Sequence, residues 1–131
     1  MNSNGAQRQR AGRHPGWYAL LACGVLWTLW ASLAPSASLP TVQVWDKLAH
    51  AVNYAVLTLL LLAVQAKPRL LLSMLLMVAF GAVIEVVQAQ TGYRRGEWLD
   101  LLANTVGVVS AAVAWLLSRR LAGHREGSGR P

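Results

Sequence analysis

Four short stretches hold most of the side chains able to do chemistry inside otherwise apolar sequence. WDKLAHAVNY supplies Asp46, Lys47, His50, Asn53 and Tyr54, and GAVIEVVQ supplies Glu85 and Gln88. TGYRRGE supplies Arg94, Arg95 and Glu97, and LDLLANTVG supplies Asp100 and Asn104. A histidine among carboxylates is equipped for proton transfer, and lysine and arginine donate charge-assisted hydrogen bonds to phosphate or carboxylate. Asp46, His50, Glu85 and Asp100 together are a conceivable set for a divalent cation. One histidine and no thiolate make that set weak, so no metal and no cofactor is expected.

Helical spacing sorts these residues by face. Asp46, His50 and Asn53 stand at i, i+4 and i+7, with Tyr54 four after His50. Gly81, Glu85 and Gln88 repeat the spacing, as do Asp100, Asn104 and Gly107, extended to Ala111. Residues three and four apart share a helix face, so each segment has one polar stripe. Gly81, Gly107 and Ala111 are small enough to let helices approach closely. Three stripes at one depth are expected to share a pocket.

The elements that must carry them are transmembrane helices. The chain has 131 residues, 55% of them hydrophobic, too apolar for an ordinary soluble domain. About 20 apolar residues cross roughly 30 Å of hydrocarbon. Segments 17–34, 48–66, 70–90 and 98–117 meet that length. The short joints between them hold Pro35, Pro40, Pro68, Gly92 and Gly96, residues that stop or delay a helix. The fold expected is all-α, four transmembrane helices in an antiparallel bundle over residues 17–117. Basic tails, 1–16 and 118–131, are expected to be disordered. The first helix is read as retained. Pro35 would follow directly on a signal-peptidase cut at Ala34, and the apolar run before Cys23 in LLAC is too short for a lipoprotein signal. A single cysteine also makes no internal disulfide.

The formal charge of +7 is arranged by topology. Arg8, Arg10, Arg13, Lys67, Arg69, Arg119, Arg120, Arg125 and Arg130 fall on one side, and Lys47, Arg94 and Arg95 on the other. The positive-inside rule then puts both termini in the cytoplasm and the polar stripes in the outer leaflet. Contact with anionic lipid accounts for the basic tails, and no nucleic-acid motif is present. Trp45, Tyr93 and Trp98 read as interfacial anchors.

Charged groups at mid-membrane cost about 2.5–3.5 kcal/mol each on insertion scales. Glu85 lies about five residues inside its span, so it needs a partner, with Lys47, His50, Arg94 and Arg95 as the available cations.

DKLAH, GAVIEVVQ, the arginine loop and EWLDLLANTVG together resemble the VanZ-like family of small bacterial membrane proteins. The match covers about residues 40–117. It carries over to Asp46, Lys47, His50, Glu85, Gln88, Arg94 or Arg95, Asp100, Asn104 and Gly107, while Glu97 stands where the family often has a small polar residue. The resemblance implies a four-helix protein of the bacterial inner membrane. It also implies a link to envelope or antibiotic tolerance, since the founding member is associated with low-level resistance to teicoplanin, a lipid-tailed glycopeptide.

Three functions fit these residues. In the first, an outer-leaflet pocket recognises an anionic lipid, a lipid-linked cell-wall precursor or a lipopeptide-like ligand. Lys47, His50 and one arginine would meet phosphate there, and Glu85, Gln88, Asp100 and Asn104 would hold them in place. In the second, an enzyme acts on such a lipid with His50 as acid/base, oriented by Asp46 or Glu85. The third is a small transporter subunit, for which the apolar cytoplasmic half offers no evident path. A purely structural ion-pair lock is the alternative to all three.

Overall fold

The computed structural model describes residues 15–34, 43–91 and 97–127, with side chains omitted at 43–44 and 124–127. It consists of four helices: α1 Pro15–Leu33, α2 Gln43–Val64, α3 Leu70–Gln90 and α4 Trp98–Gly127. All four are long and apolar enough to cross a membrane.

Proline is the first helical residue of α1, a position suited to its fixed φ and missing N–H. The α2 helix starts five residues before the apolar stretch does, taking Asp46 and Lys47 into its first turns. Backbone hydrogen bonding, unlike hydropathy, is indifferent to those charges, and an acid in the first turn suits the helix dipole. At the other end, α4 continues to Gly127, ten residues past the expected limit at 117 and into the segment expected to be disordered. The apolar run stops there, but SRRLA lacks proline and glycine and is made largely of good helix formers.

Contacts between helix ends give the arrangement. Tyr18 at the start of α1 donates to the Val64 carbonyl at the end of α2, 3.1 Å away, so the two run antiparallel. The α2–α3 turn is held by Gln65, which accepts from the Arg69 amide at 2.9 Å and donates to Ser73 Oγ at 2.7 Å. Helix α2 is central: it packs on α1, α3 and α4, most extensively on α4, whereas α1 touches α2 and α3 but not α4 among the described residues.

The core is a thin apolar layer of Tyr54, Leu57, Met77 and Val108, joined by Leu21, Val25, Leu61, Met74, Val78 and Phe80. Leu26, Leu71, Leu75, Val83 and Leu121 instead point outward and are more than half exposed. An apolar exterior around a partly polar interior is what a hydrocarbon solvent selects.

Candidate functional site

Polar side chains gather at the end of the bundle where α2 and α4 begin and α1 and α3 finish. The α2–α4 crossing brings them together because the two helices meet almost backbone to backbone. A Cβ built on Gly107 would overlap the Ala51 carbonyl oxygen and lie 2.8 Å from its carbon. Ala111, one turn further along the stripe, is also buried.

Across that crossing, Lys47 Nζ donates to Glu97 Oε2 at 2.8 Å and makes a close contact with Asp100 Oδ1. One turn deeper, His50 Nδ1 lies 3.0 Å from Asn104 Oδ1. An amide oxygen only accepts, so neutral His50 carries its proton on Nδ1 and presents the Nε2 lone pair elsewhere. Nε2 faces Asp46 Oδ1 at 4.0 Å. Ligand atoms of Asp46, His50 and Asp100 all fall within 4.8 Å of one another.

Glu85 comes from α3 and is only 8% exposed. Its Oε2 accepts the Glu97 backbone N–H at 3.2 Å; of the cations expected as partners, Lys47 pairs with Glu97 and Asp100 instead, and Arg94 and Arg95 lie outside the described residues. Here the carboxylate caps the approach to α4, where orphan amides and the positive end of the helix dipole stabilise it. Its second oxygen has no hydrogen-bond partner among the described residues. The ion-pair lock therefore runs through Lys47, Glu97 and Asp100, and Glu85 stands beside it, in electrostatic range of Asp100, His50 and Lys47.

Gly81, one turn from Glu85, permits a further contact. A Cβ there would come within 3.0 Å of Asn104 Nδ2 and 3.3 Å of the Tyr54 hydroxyl. Both atoms are buried without a partner.

Helix α1 supplies residues that spacing and hydropathy had left out. Asn53 Nδ2 donates to Thr28 Oγ1 at 2.9 Å, and Gln88 Nε2 donates to the Ser32 carbonyl at 2.8 Å. Gly24, Thr28 and Ser32 repeat every four residues, which is the signal that would have found them. A groove of about 230 Å³ lies between α1 and α2, walled by Trp27, Thr28, Ala31 and Ser32 on one side and by Asp46, Ala49, His50, Asn53 and Tyr54 on the other. This groove lies on the α1 side of α2 and is lined by the α2 stripe, without the stripe residues of α3 and α4. Trp45 and Trp98 are strongly exposed near this end. Tyr93, Arg94 and Arg95 lie outside the described residues.

The arrangement offers an oriented histidine, an anchored ammonium, and unpaired buried donors and acceptors beside a groove open between two lipid-facing helices. No curated protein and no solved structure matches the chain. A family model described as VanZ/LLP1 matches residues 2–119, taking in α1 as well as the segment from residue 40 onward. With that match spanning most of its length, the chain belongs to the VanZ/LLP1 family, the VanZ-like family that its motifs resemble.

Proposed function

We propose that this VanZ-like protein, with both termini in the cytoplasm of a bacterium, binds the phosphate-bearing head group of a lipid or lipid-linked envelope precursor in the outer leaflet. The observation that carries the reading is the groove between α1 and α2. It sits between two membrane-spanning helices, so a lipid reaches it sideways without leaving the bilayer. Its lining is largely apolar but includes His50, Asn53 and Thr28 where hydrocarbon would favour apolar side chains. Tyr54 closes the groove from beneath, its hydroxyl buried against Gly81 of α3. Trp27 and Trp30, with ring centroids 5.2 Å apart, stand beside it as amphipathic anchors. Arg94 and Arg95 are the remaining cations on this side of the charge pattern and complete the phosphate contacts in this reading. A passage through the bundle is disfavoured: below Tyr54, Leu57, Leu61, Met74, Met77 and Val108 fill the space between helices.

The test is mass spectrometry of lipids retained by protein purified in mild detergent. Wild type should retain one anionic lipid class well above its share of the membrane. The Arg94→Ala/Arg95→Ala double variant should lose most of that enrichment. Retained lipid that mirrors the bulk membrane would overturn the reading.

A second reading, an enzyme acting on the same head group, is favoured by the orientation of His50, whose Nδ1 is held by Asn104 so that Nε2 is free to take a proton. Incubation with the enriched lipid separates the two. Turnover lost in His50→Gln while lipid retention persists marks an enzyme, and an unchanged lipid marks a binding protein.

A further inference from the structure

We propose that Asp46, His50 and Asp100 bind one divalent cation, with Glu85 as the carboxylate that balances its charge from behind. This reverses the expectation, drawn from composition, that no metal is held. Two features of the geometry carry the inference. The first is the convergence of acceptor atoms. With its proton committed to Asn104, His50 turns its Nε2 lone pair toward Asp46 at 4.0 Å, and one ligand atom from each of Asp46, His50 and Asp100 lies within 4.8 Å of the others. Acceptor atoms gathered this closely repel one another, a cost that the Lys47 ammonium at Asp100 lowers in part and a divalent ion would lower further.

The second, independent feature is Glu85. It is more than nine-tenths buried, one of its oxygens has no partner among the described residues, and it lies in electrostatic range of Asp100 and His50. Among the described residues Asp46, Glu85, Glu97 and Asp100 make four carboxylates around the Lys47 ammonium. A carboxylate without a counter-charge at this depth is costly, and a cation would lower that cost.

Lys47 does not block the site. It already holds Glu97 at 2.8 Å, so it surrenders Asp100 to an incoming ion without leaving its other partner. Asn104 acts as the outer support that fixes the histidine tautomer, an arrangement common around metal-bound imidazoles. Mixed oxygen and nitrogen donors select Mn²⁺ or Zn²⁺ over Ca²⁺, which prefers six to eight oxygens. The ion site stands without the lipid reading; only the further step, in which the ion faces a head-group phosphate, rests on it.

The experiment uses the full chain in lipid-free detergent, stripped with EDTA and titrated with Mn²⁺ under electron paramagnetic resonance detection. One saturable ion per chain is expected, with a rise in the thermal unfolding midpoint that EDTA reverses. Asp46→Asn, His50→Gln and Asp100→Asn should each weaken binding by about tenfold or more, and Asn104→Ala by about 10- to 100-fold. Any of these that unfolds is replaced by Lys47→Gln, which should bind Mn²⁺ more tightly because Asp100 loses its competitor. Absence of saturable binding in the folded wild type would overturn the proposal, as would equal binding in the folded variants. Because no lipid is present, failure here leaves the lipid-retention result to stand or fall separately.

Discussion

Replacing Gly107 by alanine tests the crossing on which the whole site depends. The added Cβ would overlap the Ala51 carbonyl oxygen and lie 2.8 Å from the carbonyl carbon and 3.0 Å from Cα. Ordinary contact begins near 3.4 Å, so the carbon alone must retreat by roughly 0.6 Å, and the oxygen by more. These are backbone atoms, and no rotamer change relieves them. Either α2 or α4 must move as a unit. Overpacking of this kind costs about 1–3 kcal/mol, and a clash with backbone places Gly107→Ala at the upper end.

Two other glycines calibrate the measurement. At Gly81 the nearest atoms are side-chain ends at 3.0 Å and beyond, and at Gly123 nothing lies within 4 Å. Gly81→Ala should therefore cost about 1 kcal/mol. Gly123→Ala should be neutral or stabilising by about 0.5–1 kcal/mol, since alanine gives up less backbone freedom on forming a helix. Thermal unfolding in one detergent, read by tryptophan fluorescence, ranks the three. A Gly107→Ala protein as stable as Gly123→Ala would refute the close crossing and, with it, the Lys47–Asp100 and His50–Asn104 pairings that the crossing creates.

The ion-pair lock makes a separate prediction, measured with EDTA present. Lys47→Met strands Asp100, whose side chain is 11% exposed, and should destabilise by about 2–3 kcal/mol, below the full cost for a buried pair because Lys47 is a quarter exposed. Lys47→Met/Asp100→Leu should recover most of that loss; a double-mutant cycle with no coupling would show that the pair contributes nothing. Orientation is tested by fusions at the C-terminus: green fluorescent protein should fluoresce and alkaline phosphatase should be inactive. The opposite pattern would put the groove in the cytoplasmic leaflet.

Helices α2, α3 and α4 were legible because charged residues in apolar sequence are rare enough that their spacing is informative. Asp46, His50, Glu85, Asp100 and Asn104 each signal a helix face on their own. Thr28 and Ser32 of α1 carried only the weaker signal of their four-residue spacing with Gly24. A threonine hydroxyl satisfies itself on the carbonyl four residues back, as Thr28 does on Gly24 at 2.8 Å, so its presence in a membrane helix implies no partner. Only the fold reveals that Thr28 also meets Asn53. The partner of Glu85 was hidden for a different reason. Sequence displays side chains, and a search for the counter-charge of Glu85 runs through lysines, histidines and arginines. The group that meets it is the amide of Glu97, and every residue but proline has one.

That substitution changes what the site can do. Had Glu85 consumed a cation, the cluster would be electrically closed and its chemistry purely structural. Among the described residues an uncharged amide holds it, so Glu85 adds negative charge beside Asp100 without an ion pair of its own. The same residues that read as a lock in sequence therefore retain a demand for positive charge in the folded bundle.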